Sequence, residues 1–109
     1  MDWELLLTYS FKTLVRLFLY LTSLSWIRVA AFVTGQIAYE PLLGCSSVKL
    51  YYKFERNGKW IKGSDIIPQL TLPEAKEYAA SFTHNSPRTI RVNPNNPEVT
   101  RYFERDQGG

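Results

Sequence analysis

The sequence predicts an α+β fold: an N-terminal amphipathic helix, a curled antiparallel sheet of four to five strands built on an Asn-Gly hairpin, and one short helix before the last strands. Three observations carry that prediction. Apolar residues recur at helical spacing from Trp3 onward, alternating segments flank Asn57-Gly58, and Thr71-Leu72-Pro73-Glu74 opens a short run with one apolar side. A chain of 109 residues holds one modest core. At 45% hydrophobic and 21% charged, the composition is that of a globular domain. The formal charge of +3 permits an anionic partner without requiring one.

Residues 3–24 read as a helix. Leu6, Leu7, Phe11, Leu14, Leu17, Phe18, Leu21 and Leu24 form one broad apolar face, and Glu4, Thr8, Lys12 and Arg16 a narrow polar stripe. Asp2 is placed to cap it. The apolar stripe has three available fates: packing on the sheet, lying at a membrane interface, or spanning a bilayer. Packing is the leading expectation. Spanning is disfavoured, because Lys12 and Arg16 fall in mid-segment and the uncharged run 17–27 is short of the roughly 20 residues a bilayer needs.

Residues 26–39 read as a long strand, with Ile27, Val29, Ala31, Val33, Ile37 and Tyr39 on one face and Arg28, Thr34 and Gln36 on the other. Gly35 marks a bulge or bend. A loop with Pro41, Gly44 and two serines follows. Cys45, the only cysteine, excludes an internal disulfide, and Leu42-Leu43-Gly44-Cys45 lies too late and too interrupted for a lipoprotein signal.

A two-residue loop at Asn57-Gly58 sets Arg56 opposite Lys59, Glu55 opposite Trp60, Phe54 opposite Ile61 and Lys53 opposite Lys62. That register sorts Val48, Leu50, Tyr52, Phe54 and Ile61 onto a core face. Lys49, Tyr51, Lys53, Glu55, Trp60 and Lys62 take the other. Ile66 and Ile67 prolong the second strand and Pro68 ends it. The short helix presents Ala75, Tyr78, Ala79 and Phe82; a strand at 88–93 points Ile90 and Val92 inward, and 99–103 adds a last one. The division is 1–25 as helix, 26–104 as β-rich domain, and 105–109 as a flexible tail.

The order of these parts resembles a mostly bacterial family known as domain of unknown function 3592. That family has a tryptophan-led strand, a hairpin of the type Tyr-x-Tyr-x-x-x-Gly-x-x-Tyr-x-Gly, an alanine-containing helix and a closing Asp-Pro-x-Asn-Pro strand. Trp26 leads the strand here, Tyr52, Phe54, Gly58 and Gly63 fall at the hairpin positions, and Val92-Asn93-Pro94-Asn95-Asn96-Pro97 matches the closing motif. Ile61 stands where the second aromatic is usual and Asn93 where aspartate is. The resemblance covers about residues 26–103. It implies no chemistry, but it implies a neighbouring membrane and a place at the bacterial inner membrane or its surface, the cytoplasm being the alternative.

No catalytic or cofactor arrangement is legible. His84, the sole histidine, sits in a polar turn, one Cys and one His are too few for a metal site, and no Gly-rich phosphate loop is present. A non-enzymatic role without cofactors is expected: a membrane-associated structural or accessory module, or a soluble protein-binding module of toxin-neutralising or secretion-linked type. The candidate partner surface is Lys49, Tyr51, Lys53, Trp60 and Lys62, where cations alternate with aromatics as in single-strand nucleic-acid binders, although nucleic acid is the disfavoured partner. The helix stripe offers a membrane contact or a homodimer seam.

Overall fold

The computed structural model describes residues 3–40 and 46–107. Its elements are α1 (Trp3–Thr22), β1 (Ile27–Tyr39), β2 (Ser47–Arg56), β3 (Lys59–Pro68), α2 (Leu72–Ala80), β4 (Pro87–Asn93), β5 (Asn96–Tyr102) and a 3-10 turn (Glu104–Asp106). Asp2, Cys45 and its Leu-Leu-Gly segment lie outside the described residues.

Asn57 and Gly58 take φ of 55° and 79°, the two positive values a type I′ turn requires. The turn fixes β2 against β3 in the expected register, Arg56 opposite Lys59 through Lys53 opposite Lys62. Because side chains alternate, Val48, Leu50, Tyr52 and Phe54 are buried together while Tyr51 and Trp60 are exposed.

The five strands form one antiparallel sheet in the order β3-β2-β1-β4-β5. The run β4-β1-β2-β3 is a Greek key, and the sheet curls until its two edge strands approach. Asp65 of β3 accepts the Tyr102 N–H of β5 at 2.8 Å, and the hydroxyls of Tyr52 and Thr100 meet at 2.6 Å. Gly63 makes that approach feasible. A Cβ there would stand 2.5 Å from the Tyr52 ring and 2.9 Å from Thr100 Oγ1. Inside the nearly closed barrel lie Ala31, Val33, Leu50, Tyr52, Phe54, Phe82, Ile90, Val92 and Tyr102.

Thr71 caps α2 where the sequence predicts, its side chain accepting the Glu74 N–H. Its buried residues are Ala75 and Ala79, which pack with Val48, and small side chains let the helix lie close to the sheet.

Three expectations need correction. In β1 the register slips between Val33 and Gly35, so the alternation inverts beyond the bulge. Ile37 therefore faces outward, 53% exposed, while Gln36 turns in and donates to the Phe82 carbonyl. Residues 105–107 are not a loose tail. Asp106 accepts two hydrogen bonds from the buried Arg91, both at 2.8 Å, and the Gln107 amide clamps both backbone groups of Thr89. The third correction concerns α1.

Candidate functional site: an inside-out helix and a cationic sheet face

The apolar face of α1 does not pack on the sheet. Trp3 and Phe11 are each 69% exposed, and Leu7, Leu14, Leu17, Phe18, Leu21 and Leu24 are exposed as well, with Leu6 half-buried. The polar stripe is what meets the domain. Lys12 donates to the Ser47 hydroxyl at 3.2 Å. Arg16 pairs with Asp65 at 2.9 Å and also donates to the Tyr102 carbonyl. Ser23, at the end of the helix, is fully buried.

The reason lies in the barrel's open seam. Where β3 and β5 approach without pairing, Tyr102 leaves a backbone N–H and a carbonyl that need partners. Asp65 takes the N–H and Arg16 supplies the carbonyl's donor, so α1 lies across the seam as a polar strap. The Arg16 guanidinium also stacks on the Phe103 ring at 4.8 Å. A charge in mid-helix, which argues against a spanning segment, is the seam's closing piece. The sequence signals for this arrangement are the mid-helix charges Lys12 and Arg16 and, on the facing strand, Asp65, the lone carboxylate of β3.

With Lys12 and Arg16 committed to the domain, α1 leaves Trp3, Leu7, Phe11, Leu14, Leu17, Phe18 and Leu21 bare along one side, a row of large apolar side chains of the kind a monomer rarely exposes. That surface continues onto the sheet. A groove of ≈ 390 Å³ between α1 and the strands is lined by Phe11, Val15, Leu19, Tyr39, Ile66 and Pro68 together with the polar attachment residues.

The hairpin residues singled out from the sequence do share one open face. Lys49 lies over Tyr51 at 5.2 Å and Lys53 over Trp60 at 5.3 Å, with Phe32 tilted against Trp60 at 6.3 Å. Trp60 is 57% exposed and Lys62 is exposed beside it. This face is a cationic, aromatic platform that no element of the described chain covers.

No three of His, Cys, Asp and Glu gather among the described residues, and His84 is exposed in its turn. Apart from Arg91 and Arg101, the perturbed titrations belong to structural tyrosines. Burial pushes Tyr52 well above its ordinary value, opposed by the Thr100 hydrogen bond. Burial also raises Tyr78 and Tyr102, in each case reinforced by Glu104, which accepts from both hydroxyls.

No family model, curated protein or solved structure matches this chain. No helix of the described residues is long and apolar enough to cross a membrane.

Proposed function

We propose that the protein is a membrane-surface module, of the accessory kind the resemblance to domain of unknown function 3592 implies, with α1 lying in the interfacial plane. The observation that carries this reading is the inverted attachment of α1: its cations Lys12 and Arg16 are spent on Ser47, Asp65 and the Tyr102 carbonyl, while Leu7, Phe11, Leu14, Leu17, Phe18 and Leu21 are exposed. Transfer of such a face into the headgroup–acyl boundary is favourable by on the order of 10 kcal/mol before orientational entropy is lost.

Two features favour a bilayer over a second copy of the helix. The apolar arc spans about half of the helix circumference, wider than the narrow seam a two-helix contact buries. With Leu7, Leu14 and Leu21 and Trp3, Leu17 and Leu24 as that seam, the flanking positions hold Glu4, Phe11 and Phe18 on one side and Leu6, Thr13 and Tyr20 on the other, so no cation faces the one acid to set partner orientation. Trp3 at one end and Trp26 just past the other are the amphipathic rings that settle at a membrane interface.

Flotation with phospholipid vesicles tests the reading. The protein is expected to float with them, and Leu14→Asp with Phe18→Asp to stay behind while remaining folded. A protein that ignores vesicles and elutes as a dimer through α1 would replace this reading with the homodimer one. The cationic hairpin platform favours a second activity, single-strand nucleic-acid binding, through Tyr51 and Trp60 with Lys49, Lys53 and Lys62. Salt-dependent retention of an oligonucleotide that Trp60→Ala abolishes would support it.

A further inference from the structure

At the C-terminal end of α1 the sheet sets three arginines in register. Arg28 of β1 is opposite Arg91 of β4, and Arg91 is opposite Arg101 of β5. Like charges directly opposite on neighbouring strands destabilise a sheet, so the row costs the fold something. The middle member is the one neutralised at close range. Arg91 is fully buried and held by Asp106 through two hydrogen bonds, which keep its guanidinium firmly protonated, and it donates a third to the Ser23 carbonyl.

The other two lack such a partner. The Arg28 side chain is 61% exposed and comes no nearer than 4.0 Å to Asp106, whose charge Arg91 already uses. Arg101 donates to the Leu19 carbonyl and the Thr22 hydroxyl and stacks on Trp26 at 4.3 Å; burial pulls its pKa down. Arg105, exposed, adds a guanidinium over the Tyr20 ring at 4.7 Å. The remaining nearby carboxylate, Glu104, is occupied by Tyr78 and Tyr102, and Asp65 by Arg16.

Arg101 and Arg105 touch the last turns of α1, at the Leu19 carbonyl, the Thr22 hydroxyl and the Tyr20 ring, the same turns in which Leu17, Phe18 and Leu21 are bare, with the exposed Leu24 and Ile27 just beyond. Apolar side chains and arginines on aromatic rings at one end of one helix match the two layers of a charged lipid surface. We propose that Arg28, Arg101 and Arg105 form a headgroup site for anionic phospholipids, engaged when α1 enters the bilayer; this rests on the membrane-surface reading above. Arginine suits the task, since its planar fork takes a phosphate oxygen pair and is weakly hydrated.

Flotation at two lipid compositions separates the outcomes. On vesicles of phosphatidylcholine with roughly one-third phosphatidylglycerol, two exposed arginines should strengthen binding by about tenfold over phosphatidylcholine alone, an advantage that salt erodes. The variant Arg28→Gln with Arg105→Gln should lose that advantage, keep its phosphatidylcholine binding, and retain its urea midpoint, because neither side chain is buried. Equal binding of the wild type to both vesicles, or an advantage that survives in the variant, overturns the arginine site and leaves the membrane reading standing. Binding to neither vesicle overturns both. Competition by free inorganic phosphate at millimolar concentration would reassign the row to a soluble anion and likewise overturn the lipid site.

Discussion

The two helices solve opposite problems with the same periodicity. α2 buries Ala75 and Ala79 against Val48 and leaves Glu74, Lys76 and Glu77 in water, as a surface helix ordinarily does. α1 is turned the other way, with Arg16 and Lys12 toward the protein and Leu14 and Phe18 away from it. What differs is the surface each one meets. α2 lands on side chains of β1 and β2 that need apolar cover, whereas α1 lands on a seam of unpaired backbone that needs donors and acceptors. A helix's pattern states which side is greasy; the partner surface decides which side docks.

That comparison breaks most sharply at the seam. Asp65→Ala removes the partner of Arg16 and the acceptor of the Tyr102 N–H together, and should cost about 3 kcal/mol in urea unfolding. A loss under about 0.5 kcal/mol would mean that α1 does not close the barrel. Gly63→Ala attacks the same closure from inside. The Tyr52 ring or the β5 edge must shift to admit the new methyl, for a loss of about 1–3 kcal/mol by thermal or urea denaturation.

A smaller effect follows from pH. Tyr52, Tyr78 and Tyr102 all have folded-state pKa values raised above the ordinary 10.0. The folded state therefore favours the neutral phenol, and the stability this gives is complete below pH 10 and lost as pH climbs beyond it. Urea midpoints should fall steeply above pH 10, and Tyr52→Phe should flatten the fall. The smallest effect belongs to the hairpin's outer face. Trp60→Ala should cost under about 1 kcal/mol, because that ring is 57% exposed and rests against Lys53 and Phe32 at the surface.

The hairpin was legible in the sequence down to its register, because Asn57-Gly58 demands one loop geometry and alternation does the rest. The core face followed from it. The bulge at Gly35 was legible as a position, but its effect on Gln36 and Ile37 depends on how the strand resumes pairing with β2, which is a tertiary outcome. The binding of residues 105–107 was hidden for a different reason. Arg-Asp-Gln reads as a polar tail until Arg91 is known to be buried and in need of a carboxylate. Of the candidate sites, the hairpin platform could be read from alternation alone. The arginine row could not, since it joins three strands whose mutual register no local signal sets.

The central claim is that the apolar face of α1 carries no weight in the fold. A urea midpoint for the paired variant Leu14→Asp with Phe18→Asp tests it directly, without any lipid. The structure predicts a midpoint within about 0.5 kcal/mol of the wild type, as for exposed positions. A loss above about 3 kcal/mol would show those side chains packed in a core and contradict the outward-facing helix.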